Sequence, residues 1–305
     1  MILSRRNFLK GATLVLSNPE LVLASPKEIK GGLEKLASLE YENISHSPIT
    51  WEELQDGLNF ARVDVYRDKE LVDKIVVVKL DSTKNKIRIF NNYKSPTEVG
   101  LLTIEEWQRL TSASVVFNSA QYLPRPTYGA PIALIITDGK KRGPVYNKSS
   151  RGMLVAEPTN KTLPLADLLD FEYDKFDHRT TSYAQGVQHW PILLDKQGKI
   201  KVKPSNWQAN RTVVAKNRDG NMLVFVTEGG FFTLYNFGRF LKESSFNVHT
   251  AMNLDGGYEA SMCIKTPKLH YVTYGQFETQ GPYKDISIPR IKIAIPGAIG
   301  IFPRR

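Results

Sequence analysis

The sequence predicts an α+β fold: a single domain with a mixed, strand-rich sheet core and a few packing helices. Three observations carry this reading. Ile75-Val76-Val77-Val78-Lys79-Leu80 is a β-branched run of strand length. Between Ile192 and Thr227, apolar runs are separated by the turns Asp195-Lys196-Gln197-Gly198 and Arg218-Asp219-Gly220-Asn221, as hairpins require. After Gly229-Gly230 the period changes, and Leu234, Phe237, Phe240 and Leu241 fall on one helical face.

In chain order, the first element is a targeting segment. Ser4-Arg5-Arg6-Asn7-Phe8-Leu9-Lys10 is followed by a short apolar run, Gly11 to Leu16, and by Val22-Leu23-Ala24 before Ser25-Pro26. This resembles a twin-arginine signal over residues 1–24, an address read by a receptor rather than a structural element. Residues 25–70 read as a leader, with a weak helical pattern at Ile29, Leu33 and Leu36. The domain is expected over 71–305. Its first strand, Ile75–Leu80, pairs with Ile87 and Ile89 across Thr83-Lys84-Asn85. Thr103-Ile104-Glu105-Glu106 opens a helix with a capping box and ends near Leu110. Strands follow at Ser114–Asn118 and Ile132–Thr137, then a polar surface excursion at 158–182. Strands at Ile192–Leu194, Lys199–Val202, Arg211–Ala215 and Leu223–Thr227 precede the helix, and Ala298–Phe302 closes the chain.

Apolar residues make up 41% of the 305 and charged residues 24%, enough for one large core. No stretch reaches the roughly 20 apolar residues of a spanning helix. The formal charge is +10, and removing Arg5, Arg6, Lys10 and Glu20 with the signal leaves +8. A basic surface attracts anionic partners. Outside the cytoplasm these are anionic glycans, phosphodiesters or lipid headgroups rather than nucleic acid, and the twin-arginine translocase is the expected partner during export. The single cysteine, Cys263, excludes an internal disulfide.

The strongest chemical signal is Asn253-Leu254-Asp255-Gly256-Gly257, followed by Ser261-Met262. An apolar strand ending in Asp-Gly-Gly sets a carboxylate at a strand terminus, and the two glycines let a ligand approach the backbone. A plain turn capped by Asp255 has the same pattern. His178, His189, His249 and His270 share no ligand spacing, so neither a metal nor another cofactor is expected. His189 beside Trp190 reads as a packed pair. The acidic stretch Asp170, Glu172, Asp174 and Asp177 reads as a solvated face.

The same pentapeptide resembles the signature of the phosphodiester glycosidase family, bacterial relatives of the mannose-6-phosphate uncovering enzyme. Further segments match in the same order. Phe117-Asn118-Ser119, Pro131-Ile132-Ala133-Leu134 and Asp138-Gly139 are similar to its early elements. Gln185-Gly186-Val187-Gln188 with Pro191-Ile192-Leu193 is similar to its middle segment. Asn210-Arg211-Thr212 through Asp219-Gly220 is similar to its arginine-bearing hairpin, and Val226 to Gly230 to its glycine-rich turn.

The resemblance implies an exported hydrolase, periplasmic or extracellular, that cleaves a glycosyl phosphodiester or a related envelope glycan linkage. Cleavage builds positive charge on the sugar and leaves an anionic phosphate. Asp255 would stabilise the first or position water; Arg211 would clamp the second through its planar fork. Glu228 is the second carboxylate, a base or an orienter, or else a cap for the helix beginning near Phe231. Arg211 read as a strand residue alone would face solvent. Asn118 would donate to a sugar hydroxyl or the phosphate, or hold a turn. Asn210, Gly256, Gly257 and Glu259 complete the expected substrate contacts. The chain departs from the family where Glu228 stands for a common aspartate, and where Tyr258-Glu259-Ala260 replaces a Gly-Ser-Ser continuation. Those changes motivate an alternative: a non-catalytic glycan-binding or exopolysaccharide-associated protein on the same fold. A polysaccharide-cleaving enzyme whose substrate lacks phosphate is a third reading.

Overall fold

The computed structural model describes residues 44–304 except 96–97, 124–128, 145–150, 181, 277 and 281–291. The expected signal, residues 1–24, and the leader up to residue 43 lie outside the described residues.

The chain opens with β1 (Ile44–His46), β2 (Glu52–Gln55), β3 (Leu58–Arg67), β4 (Glu70–Leu80), β5 (Asn85–Asn91), β6 (Tyr93–Ser95) and β7 (Glu98–Val99). Helix α1 (Ile104–Thr111) follows, then β8 (Val115–Asn118), β9 (Ile135–Thr137), β10 (Lys140–Arg142), β11 (Gly152–Pro158) and β12 (Ala166–Asp170). Next come β13 (Tyr183–His189), β14 (Ile192–Leu194), β15 (Trp207–Ala209), β16 (Thr212–Asn217) and β17 (Met222–Thr227). Helix α2 (Leu234–Glu243) leads into β18 (Val248–Asn253), β19 (Ser261–Lys265), β20 (His270–Tyr274), β21 (Glu278–Gln280) and β22 (Gly297–Pro303). Two α-helices among the described residues make the fold strand-rich, more β than the expected α+β balance.

Three sheets dominate. The largest runs β1-β3-β4-β17-β16-β18-β14, with β2 beside β3. The second runs β20-β19-β8-β22-β5, and the third β10-β9-β13-β11-β12. The sheet core was expected to be mixed, yet every pairing among the described residues is antiparallel. Short connections account for the hairpins β3–β4, β16–β17 and β19–β20, because a parallel pair needs a crossover of a dozen or more residues.

The uninterrupted run Ile75–Val78 is apolar because β4 is buried on both faces. Val76, Val78 and Leu80 point into a core shared with Val115, Phe117, Met262 and Ile299 of the second sheet and Leu154 and Val187 of the third. Ile75 and Val77 point the other way, against Phe225, Phe232 and the Phe237, Phe240 and Leu241 face of α2. Helix α1 covers the outer face of the second sheet through Ile104 and Trp107. It begins as expected: Thr103 and Glu106 form a full capping box.

Three features differ from expectation. Strand β3, which was expected in the leader, pairs along its whole length with β4 and belongs to the main sheet. The 158–182 excursion contains β12, whose Ala166 and Leu168 are buried. The expected strand Lys199–Val202 reduces to one bridge, Leu194 to Ile200.

Candidate active site

Register gathers the candidate residues at one end of the main sheet. Strand β16 lies between β17 and β18, with Thr212 opposite Val226 and Val213 opposite Asn253. The start of β16 therefore meets the ends of both neighbours. Arg211 precedes β16, Glu228 follows β17, and Asp255 lies two residues beyond β18. Hydrogen bonds carry the ladder to those residues: Thr227 N–H donates to Arg211 O at 3.0 Å and Leu254 N–H to Thr212 O at 2.8 Å.

Arg211 is not a solvated strand residue; it is 6% exposed. Its Nε donates to Phe232 O at 3.0 Å and its Nη2 to Trp207 O at 2.7 Å. Burial lowers its pKa to about 10, with the charge of Glu278 acting in the opposite sense. The guanidinium is thus held by neutral carbonyls, and no ion pair with a described carboxylate compensates it. Its Nη1 lies 3.8 Å from the point a Cβ on Gly256 would occupy. The second face of the fork is therefore turned to the Asp-Gly-Gly turn.

That turn is built by two asparagines. Asn118, buried at the end of β8, donates from Nδ2 to Asp255 O at 2.8 Å and accepts from Thr212 Oγ1 at 2.7 Å and Ser261 N at 3.1 Å. Its amide ties β8, β16 and β19 to the turn, so it braces Asp255 rather than reaching for a ligand. Asn210 acts likewise. Its carbonyl accepts from Gly257 N at 2.9 Å, its Oδ1 accepts from Gln276 N at 2.8 Å, and its Nδ2 donates to Thr227 O at 2.8 Å. Gln276 Nε2 in turn reaches Glu228 O at 3.4 Å. Asp255 Oδ1 accepts from Gly256 N at 3.1 Å, which leaves the half-buried carboxylate at the mouth of the turn. Glu259 closes the short 3-10 turn Gly257–Glu259, where its carbonyl accepts from Ser261 Oγ at 3.0 Å.

Both glycines are required by space. A Cβ on Gly256 would stand 2.8 Å from Asn210 O, and one on Gly257 would stand 2.5 Å from Glu278 Oε2. Gly257 also has φ +66°, a conformation L-residues seldom adopt.

Glu228 caps no helix; the α2 N-cap is Thr233, which accepts from Asn236 N. Its carboxylate, 6% exposed, takes a bidentate pair from Arg62, Nε to Oε1 at 2.6 Å and Nη2 to Oε2 at 2.7 Å. Tyr271 O–H donates to the same Oε1. The bond with Glu228 drives the Arg62 pKa upward. Next to it, Asp73 is buried under the glycine turn and accepts from Gly229 N at 2.6 Å, Lys74 N at 2.7 Å and Phe231 N at 3.3 Å. Burial outweighs those bonds and pushes its carboxyl up to about 7.

Arg62, Asp73, Tyr271 and Glu278 were not anticipated. Arg62 and Asp73 sit on the β3–β4 hairpin, half of it assigned to a leader, and neither carries a local motif. Alternation in Leu58-Asn59-Phe60 and Val63-Asp64-Val65 could have revealed β3 as a core strand. Away from the site, His189 is buried against Trp190, their rings stacked 5.1 Å apart. Asp174 and Glu172 of the acidic stretch are met by Lys196 and Lys201.

The sequence matches a family model described as phosphodiester glycosidase over residues 111–302. Solved structures share the fold. The zebrafish N-acetylglucosamine-1-phosphodiester alpha-N-acetylglucosaminidase catalytic domain, auto-inhibited by its pro-peptide, is 17% identical with a TM-score of 0.56, covering 87% of this chain and 86% of its own. A putative exported protein of Burkholderia pseudomallei K96243 is 8% identical with a TM-score of 0.52, covering 87% and 98%. A hypothetical protein from Synechocystis is 12% identical with a TM-score of 0.52; the match covers 85% of this chain and spans 64% of that protein. No curated protein matches the sequence.

Proposed function

We propose that this chain, which belongs to the phosphodiester glycosidase family, is an exported hydrolase of glycosyl phosphodiesters or a closely related envelope glycan linkage. One observation carries the reading. Arg211 is a buried cation whose two bonded partners are carbonyl oxygens, and its remaining nitrogen faces the Asp255-Gly256-Gly257 turn. Burying a charge without an opposite charge is costly. An anion arriving at that turn would offset the cost, and a phosphodiester oxygen suits the fork. Asp255, in that turn, would face the positive charge that develops on the sugar ring. Phosphate is a good leaving group, so a strong general acid is not required.

Asp255→Asn keeps the shape and removes the charge. Turnover on a panel of glycosyl phosphodiesters should fall about 10²-fold or more, while binding of an unreacted ligand changes far less. Full turnover by Asp255→Asn would sink the mechanism. A glycan-binding protein remains the second reading, favoured by one observation: Glu228 is neutralised by Arg62 and Tyr271, so it offers no free base. Saturable glycan binding without turnover across the panel would select it.

A further inference from the structure

If Glu228 is committed, a second carboxylate for the reaction must come from elsewhere. Glu278 begins β21, which pairs with β15 so that Glu278 lies opposite Ala209, two residues before Arg211. Its Oε1 accepts the indole N–H of Trp207 at 3.2 Å. Its Oε2 lies against Gly257, in space that only the missing Cβ leaves open. That oxygen has no hydrogen bond from any described residue, and the side chain is half-buried rather than sealed. Arg211 feels its charge, yet the two form no ion pair. Adjacent glycines thus separate two functions: Gly256 faces the Arg211 fork, and Gly257 faces the Glu278 carboxylate.

We propose that Glu278 is the general base of this site, acting with Asp255 across the double glycine. The assignment rests on the hydrolase reading above. A base needs a free lone pair at the reacting atom and a partner that fixes its orientation. Oε2 supplies the first and the Trp207 indole the second. Glu228 is oriented too, but its oxygens are committed to Arg62 and Tyr271. In the step, a water proton passes to Glu278 Oε2 as the water oxygen bonds the anomeric carbon. The bond from that carbon to the phosphate oxygen breaks, and its electron pair leaves with the phosphate, where Arg211 meets the added charge. The products are a free sugar and a phosphomonoester, and Glu278 returns its proton to solvent.

The test uses the full chain and the methyl diester of N-acetylglucosamine 1-phosphate, with the wider panel as reserve. Glu278→Gln should lower kcat by about 10²-fold or more and leave KM within about threefold, the size expected for loss of a positioned base. Glu278→Ala should be equally slow and recover at least about tenfold with added formate, which supplies a carboxylate to the vacated space. Formate should not rescue Glu228→Ala. Thermal melts of each variant establish that the slow ones are folded. A Glu278→Gln enzyme retaining a third or more of wild-type kcat overturns the assignment, as does a folded Glu278→Ala indifferent to formate; in both cases the hydrolase reading stands. A wild type that cleaves no member of the panel overturns both.

Discussion

At the scale of single residues, desolvation decides the chemistry. Arg211 is buried, with two carbonyls in place of water at its fork. Arg211→Lys cannot reach both, so one buried carbonyl loses its partner, at about 1–3 kcal/mol. The expected outcome is a lower melting temperature together with weaker binding of inorganic phosphate, read by calorimetry. A lysine variant that bound phosphate as tightly as wild type would dissociate the fork from the anion site. Gly256→Ala brings a methyl carbon to 2.8 Å from a backbone oxygen that side-chain motion cannot clear. Gly257→Ala meets instead the tip of a flexible glutamate, plus a positive-φ cost of about 1–2 kcal/mol. Both should lose most activity, and Gly256→Ala should lose more stability in a denaturant melt.

At the scale of elements, packing confirms what periodicity suggested and corrects what polarity concealed. Phe237 is fully buried between α2 and the main sheet. Phe237→Ala should cost roughly 3–5 kcal/mol in a urea titration, against about 0.5 kcal/mol for a surface position. The α2 helix, the capped α1 helix, the β16–β17 hairpin and β4 were legible because each carries its own local pattern. β12 was not: Asp167 and Asp170 give it a polar look, although Asp167 is neutralised by Lys216 from another sheet. The same holds at the site. Asp255, Arg211 and Asn210 lie in motifs, whereas Arg62, Asp73 and Glu278 reach it through strand register, which no local window encodes. Local sequence equally could not reveal that Glu228 has a cationic partner 166 residues away.

At the scale of the whole molecule, buried titratable groups set how stability responds to pH. His189 is buried neutral, its Nδ1–H donating to Asn253 O at 2.8 Å, and burial lowers its pKa from 6.5 to about 4. The folded protein binds that proton less readily than the unfolded chain. His189 therefore contributes stability that is fully present above pH 6.5 and is lost as pH falls through about 4. Melting temperatures measured from pH 7 down to 4 should decline, and His189→Gln should flatten the decline. An unchanged slope in that variant would assign the acid sensitivity to other groups. The proposed export is tested at the same scale. Arg5→Lys with Arg6→Lys should abolish accumulation outside the cytoplasm, measured by fractionation, because the twin-arginine pathway reads the pair itself.

Residues far apart in the chain meet at the site: Arg62 clasps Glu228, and Glu278 lies against Gly257. No short contiguous fragment holds all of these groups, so a half-folded chain has no weakened version of the cleft. Turnover thus counts finished molecules. Recovery of activity on refolding should lag hydrophobic collapse and keep pace with closure of the last strand pairs. Under the proposed export in the folded state, the translocase would then carry the cleft across already assembled.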